Sequence, residues 1–297
     1  MGKQNETTVM EFILLGFPGS FSLQISIFMF FFLVYILTVT GNMAIITLVM
    51  TNHWLHTPMY FFLCNLSFLE IWYTTASVPK TLALFLGKSR TISFHGCLLQ
   101  MYFMFSFGCT EHFLLAVMDP LRYSSIMNNT LSTQLAIACW VGGFLVISII
   151  AFLIGKLSFC GPNIINNFWC NIDSWIILSC TDTHIVETAA FIIAVIVILG
   201  SCIITLLSYI YIISTILRIP SAKGQQKAFS TCSSHLSVVI IWYGSTIFLF
   251  VKPSARSSLE QTKILTILNT IVTPLLNPFI YALRNREVKV ALCNALS

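Results

Sequence analysis

Seven apolar stretches, each long enough to cross a bilayer, dominate this sequence, and the seventh ends in Asn277-Pro278-Phe279-Ile280-Tyr281. A hydrocarbon core of about 30 Å takes roughly 20 apolar residues of helix. Lipid offers no partner to backbone polar groups, so each stretch must satisfy its own and become helical. The stretches fall at 24–50, 58–82, 96–118, 134–155, 188–217, 228–251 and 261–283. The expected fold is an all-α membrane protein: a seven-transmembrane-helix bundle with a short amphipathic C-terminal helix. Its parts are an extracellular tail (1–23), the seven-helix domain (24–283) and a cytoplasmic tail with an interfacial helix (284–297). Only 8% of the residues are charged, against about 25% in soluble domains. The connections are short, the longest being 156–187, and leave no room for a second globular domain.

No internal repeat of the transporter kind is visible. The basic residues are scattered, so the net charge of +5 does not indicate nucleic acid. The first residues lack the basic flank, short apolar core and cleavage site of a removable signal, so the first span is expected to serve as its own insertion signal. Gly2 fails as a myristoylation site because Glu6 stands where Ser or Thr is required.

Lys and Arg are nearly balanced between the two sides, so the positive-inside rule does not orient the chain. Two other signals place the N-terminus outside. Asn5-Glu6-Thr7 is a glycosylation acceptor; the other matches, at Asn65 and Asn128, fall in a span and an inner loop. Cys97 opens the third span, while Cys160, Cys170 and Cys180 share the longest loop. Four cysteines on one face point to an oxidising compartment and two disulfides, with three pairings open on counting alone. The remaining six cysteines sit in or beside spans as packing residues.

The chain resembles the olfactory receptors, of the rhodopsin-like G-protein-coupled class, over nearly its whole length. The resemblance is carried by Gly41-Asn42 in span one, Leu55-His56-Thr57-Pro58-Met59-Tyr60 entering span two, Ser208-Tyr209 in span five, the run from Lys227 through Ser230-Thr231-Cys232 to His235 opening span six, and Pro274-Leu275-Leu276-Asn277-Pro278-Phe279-Ile280-Tyr281 in span seven. It implies disulfides Cys97–Cys170 and Cys160–Cys180, an odorant ligand, and coupling to a stimulatory, cyclic-AMP-raising heterotrimeric G protein.

One stretch departs from the family. Its Asp-Arg-Tyr string at the inner end of span three is missing, and Val117-Met118 runs directly into Asp119-Pro120-Leu121-Arg122-Tyr123. About nine residues are lacking relative to the family. Residues 96–118 still make about 34 Å of helix. Arg122 lies 25 residues after Cys97, where the family's Arg falls, so it offers a replacement by shifted register. Pro120 opposes this, because proline inside a helix costs about 3 kcal/mol and biases Asp119 away from helical angles. The competing expectation is that Asp119-Pro120 ends the helix and opens a shortened loop.

Glu70 and Glu111 lie deep inside spans two and three, where ionisable groups are costly and usually functional or paired. By resemblance they form a polar core with Asn42 and Asn277, holding water or a sodium ion; the alternative is a pair of neutral, hydrogen-bonded carboxyls. Pro278 and Tyr281 belong to the family's switch region. Tyr209 and His235, with Tyr281, would meet the missing Arg on the G-protein side. His53 with His56, and Cys109 with His112, are each three apart, but two ligands do not make a zinc site. The ligand-binding set is Met104, Phe105, Gly108 and Cys109 in span three, Ile193 and Val197 in span five, Tyr243, Thr246 and Ile247 in span six, and Thr270 in span seven. These side chains suit a small, mostly apolar volatile with one or two polar anchors. In the last segment, Val288, Ala291, Leu292 and Leu296 would face lipid while Arg286, Glu287 and Lys289 face water.

The expected function is an odorant receptor in the cell membrane. The first alternative is a receptor-like protein that has lost coupling, or is retained in the endoplasmic reticulum, because of the short junction. A transporter is a remote alternative, since no repeated halves or charged path appear. No metal or nucleophile cluster points to an enzyme, and no cofactor is expected. The partners are the odorant, the G protein and the bilayer.

Overall fold

A computed structural model describes residues 10–17, 19–87, 90–118, 128–160, 162–218, 220–251, 263–264, 266–284 and 286–296, several of those between 227 and 251 and between 279 and 296 by backbone alone. The junction 119–127, including Asp119, Pro120 and Arg122, lies outside the described residues, as does Asn5.

The chain opens with a short strand, β1 (Glu11–Leu14), and then the first long helix, α1 (Phe21–Thr51). α2 (Pro58–Phe85), a strand β2 (Thr91–Ser93), α3 (Phe94–Val117) and α4 (Asn129–Ile154) follow. The loop after α4 contributes β3 (Ile164–Ile165) and a short helix α5 (Ile172–Leu178). Span five is α6 (His184–Ala194), a π-turn at Val195–Leu199 and α7 (Gly200–Leu217). Span six is α8 (Ala222–Val251). In span seven a π-turn at Leu268–Val272 leads into α9 (Thr273–Arg284), and α10 (Arg286–Leu296) follows. The result is a seven-helix bundle.

Polar residues set the helix ends. Ser20 Oγ accepts from Leu23 N–H, Ser93 Oγ from Gly96 N–H, and Asn128 Oδ1 from Leu131 N–H, each satisfying an orphan donor of a first turn. Pro58 begins α2, where its missing N–H costs nothing. Among the described residues, three spans are long and apolar enough to cross a membrane on composition: Phe21–Thr51, Asn129–Ile154 and His184–Leu217. α2 and α3 are of similar length, 28 and 24 residues, but hold the buried Glu70 and Glu111.

The end of the bundle that holds the N-terminal segment carries a small sheet, which the sequence reading treated as tail and loop. β1 lies between its partners, antiparallel to β2 (Phe12 opposite Ile92) and parallel to β3 (Ile13 opposite Ile164). Phe12 and Leu14 point inward and are fully buried. Phe12, Phe94, Phe159 and Trp175 then meet in one aromatic cluster, with Phe12 and Phe94 edge-on to the indole at 5.2 Å each. Two disulfides bind this cap: Cys97–Cys170 ties α3 to the outer loop, and Cys160–Cys180 closes the loop on itself.

The C-terminal helix requires a correction. Val288 and Ala291 do not face lipid; both are buried against Ile45, Leu48, Val49, Leu55, Tyr60 and Leu63 at the inner ends of α1 and α2, with Leu292 at the margin. The apolar stripe was legible, but its partner is a protein surface assembled from distant residues.

Candidate functional site

The mid-membrane polar core is built around a missing hydrogen. Pro278 has no N–H, so the Pro274 carbonyl one turn earlier loses its helical donor. Asn42 Nδ2 of α1 supplies one at 3.4 Å, while also donating to Thr38 O at 3.0 Å. Gly41 makes this approach possible: a Cβ there would stand 3.2 Å from both Cβ and Cγ of Pro278. Next to it, Asn277 Nδ2 donates to Glu70 Oε1, and Glu70 interacts directly with Glu111.

Asn42, Glu70, Glu111 and Asn277 are all buried, and each keeps one acceptor oxygen without a hydrogen-bond partner among the described residues. Such atoms need an explanation when buried. Two carboxyl and two amide oxygens suit a hard cation or water. Among the described residues no three His, Cys, Asp or Glu side chains gather as a metal site.

The residues expected to bind ligand lie on spans three, five, six and seven. Met104, Val197, Tyr243, Thr246 and Thr270 are buried; Phe105, Gly108, Cys109, Ile193 and Ile247 are half-buried. The structure brings several together through residues that the sequence reading did not assign. His112 packs its ring 5.4 Å from Trp242 and 5.3 Å from Tyr243, and its Nδ1 lies 3.4 Å from Ser201 Oγ. Tyr243 OH meets Thr205 Oγ1 at 3.3 Å. In the π-turn of span seven, Asn269 clasps span six: its Nδ2 donates to Thr246 Oγ1 at 2.8 Å and its Oδ1 accepts from Ser245 Oγ at 2.9 Å. The Thr246 hydroxyl itself donates to Trp242 O at 2.7 Å, so its proton is already committed within span six. Tyr73 of α2 reaches Thr270. A Cβ on Gly108 would meet nothing within 4 Å, which marks open space beside α3 at mid-membrane.

Against the N-terminal segment, Lys263 is 4% exposed. It donates to Gly16 O at 3.1 Å and to Asn166 Oδ1 at 2.9 Å, with the rings of Phe17 and Phe168 5.6 and 5.8 Å away. Gln100 of α3 accepts from Cys170 N–H at 3.1 Å and donates to Ala76 O at 3.3 Å, holding the disulfide-bonded loop to α2 and α3. Lys263 was visible in sequence only as a charge near a span's edge, and Gln100 gave no signal.

At the inner end α3 stops at Val117, where the Met118 N–H bonds back to Leu114 O. Tyr209 is buried on α7, whereas the side chains of His235 and Tyr281 lie outside the described residues. The sequon residue Asn65 accepts from Trp140 Nε1 at 3.1 Å and donates to Phe61 O, which places it in a helix interface and away from any glycan. A groove of about 450 Å³ opens among the inner parts of α1, α2 and α4 and shares no residue with the ligand set.

A family model described as olfactory receptor matches residues 31–297. Olfactory receptor 6F1 of Homo sapiens is 62% identical over 301 aligned positions, which cover 98% of this chain and 98% of that protein. Olfactory receptor 287 of Rattus norvegicus is 61% identical, covering 97% and 96%. Squid rhodopsin shares the fold, with a TM-score of 0.68 over 94% of this chain and 87% of that one, at 14% identity. The 301 positions aligned with olfactory receptor 6F1 exceed the 297 residues of this chain, so that relative has residues without a counterpart here. With the family matched from span one to the last residue, the chain belongs to the olfactory receptors: a multi-pass membrane protein of the rhodopsin-like G-protein-coupled class, a receptor for odorants and not an enzyme.

Proposed function

We propose that this receptor binds small, mostly apolar volatiles among the outer halves of spans three, five, six and seven and signals through a stimulatory heterotrimeric G protein to cyclic AMP. The observation that carries the binding half is the open space beside Gly108, where an added Cβ would meet nothing within 4 Å, on a helix face that also presents the buried Met104 and His112. A preformed, mostly apolar cavity with few polar groups is the usual form of a small-molecule site. Met104, Phe105, Cys109, Ile193, Val197, Tyr243, Thr246, Ile247 and Thr270 share its lining with Gly108. The N-terminal tail (1–23), glycosylated at Asn5, lies outside; 24–283 is the seven-helix domain, and 284–297 lies on the cytoplasmic side. The Asn42, Glu70, Glu111 and Asn277 oxygens would hold a sodium ion, whose single charge would offset one carboxylate while the two carboxyl groups share a proton.

The end of α3 at Val117 favours a second reading, in which ligand binds but coupling is lost and part of the protein stays in the endoplasmic reticulum. A ligand shifts a conformational equilibrium only through its differential affinity for the two states, and the active state also needs an inner surface that fits the G protein. Cyclic AMP is measured for this chain and for a version with Asp-Arg-Tyr and its flanking residues inserted after Met118, at matched surface expression. Equal odorant responses support signalling by the chain as it stands; a response only from the extended chain replaces that reading with the second. If Arg122 substitutes for the missing Arg, Arg122→Ala abolishes the signal.

A further inference from the structure

The hydrogen-bond arrangement at the floor of the pocket selects one functional group. Ser201 has a single hydroxyl proton, and its short contact, 2.6 Å, is to Val197 O, with Ile198 O at 3.1 Å. Both carbonyls belong to the π-turn Val195–Leu199, whose wider hydrogen bonding disturbs the regular ladder. With that proton spent, Ser201 Oγ can only accept from His112 Nδ1. On that assignment of the hydroxyl the ring proton sits on Nδ1, and Nε2 is a lone-pair acceptor. Nε2 has no hydrogen-bond partner among the described residues, although His112 is 4% exposed. Beside it the Trp242 indole N–H is also buried without a partner among the described residues. His112 follows Gly108 by one helical turn on the same face of α3, so the imidazole lies at the lower end of the open space.

We propose that His112 is the polar anchor of the ligand pocket and that it selects a hydroxyl, so that the favoured ligands are aliphatic alcohols. A hydroxyl donates to Nε2 and can accept from the indole N–H. A carbonyl can accept from the indole N–H but has no proton for Nε2, so it makes one hydrogen bond where an alcohol makes two. Gly108 provides room for the alkyl chain above the anchor. The proposal rests on the reading of this cavity as the odorant site.

The test avoids dependence on coupling. The full chain in lipid nanodiscs is heated with straight-chain alcohols from hexanol to decanol, with the matching aldehydes and with the parent alkanes, and ligand-induced thermal stabilisation gives relative affinities. Alcohols should bind about tenfold more tightly than aldehydes of equal length, the difference that one well-placed hydrogen bond supplies. His112→Phe should remove that preference. Ser201→Ala, which keeps the imidazole but frees its tautomer, should let aldehydes gain on alcohols. Gly108→Leu should lose decanol before hexanol. Equal affinity for alcohols and aldehydes, or an alcohol preference unchanged in both His112→Phe and Ser201→Ala, overturns the hydroxyl anchor and leaves the odorant reading standing. Stabilisation by no compound overturns both.

Discussion

Gly41 and Pro278 explain each other. The proline strips a donor from its own helix, and the glycine lets the neighbouring helix come close enough for Asn42 to replace it. A methyl at position 41 must push Pro278 by a few tenths of an ångström, and the pyrrolidine ring cannot swing aside. Gly41→Ala should therefore cost about 1 kcal/mol and Gly41→Val about 3 kcal/mol, read as lowered thermal stability of purified receptor. The sequence displays both residues in recognisable strings. Their contact was not legible, because nothing local says which face of span one meets span seven. The same holds for the pocket. Gly108 and Tyr243 could be nominated by position, but His112 was weighed only as a metal ligand. Its role depends on Ser201 in another span, and Asn269 was absent from the reading because its partners Ser245 and Thr246 lie in span six.

Among the elements, α3 and α4 cross closely at Gly143 and Thr110. A Cβ on Gly143 would fall 2.1 Å from Thr110 Oγ1 and 2.8 Å from the Thr110 backbone nitrogen. The hydroxyl can be removed, but the nitrogen cannot. Gly143→Ala should cost about 3 kcal/mol through overpacking and sharply reduce surface expression. Adding Thr110→Ala should restore only part of it, and full rescue would show that the side chain alone sets the limit. Element legibility followed period and length. Seven long apolar runs announce seven helices, whereas β1 is four residues whose inward Phe12 and Leu14 form too short an alternation to separate from a tail. The π-turns at Val195–Leu199 and Leu268–Val272 sit inside uniformly apolar sequence that gives no sign of a change in hydrogen bonding.

Across the whole molecule, Lys263 is the outer fastener. It joins span seven to the N-terminal segment through Gly16 and to the outer loop through Asn166. Gly16 adopts φ 66°, which favours glycine, and there its carbonyl meets the ammonium. Hydrogen bonds to a charged group contribute about 1.5–3 kcal/mol each when buried partners would otherwise be left unmet. Lys263→Met should lower thermal stability by about 2 kcal/mol and speed hydrogen exchange of the β1 amides, while exchange at the inner ends of α1 and α2 stays unchanged. Equal acceleration at both ends would mean that the lysine supports the whole bundle and not the cap.

The bond from Lys263 to Gly16 spans 247 residues. Contacts this distant in sequence carry the largest loop-closure cost and form late. The ribosome makes the N-terminal segment first and span seven almost last. In the order of biosynthesis, then, the first segment must wait beside an open bundle until the seventh span arrives, and a nascent chain halted before Lys263 carries β1 without its final fastening.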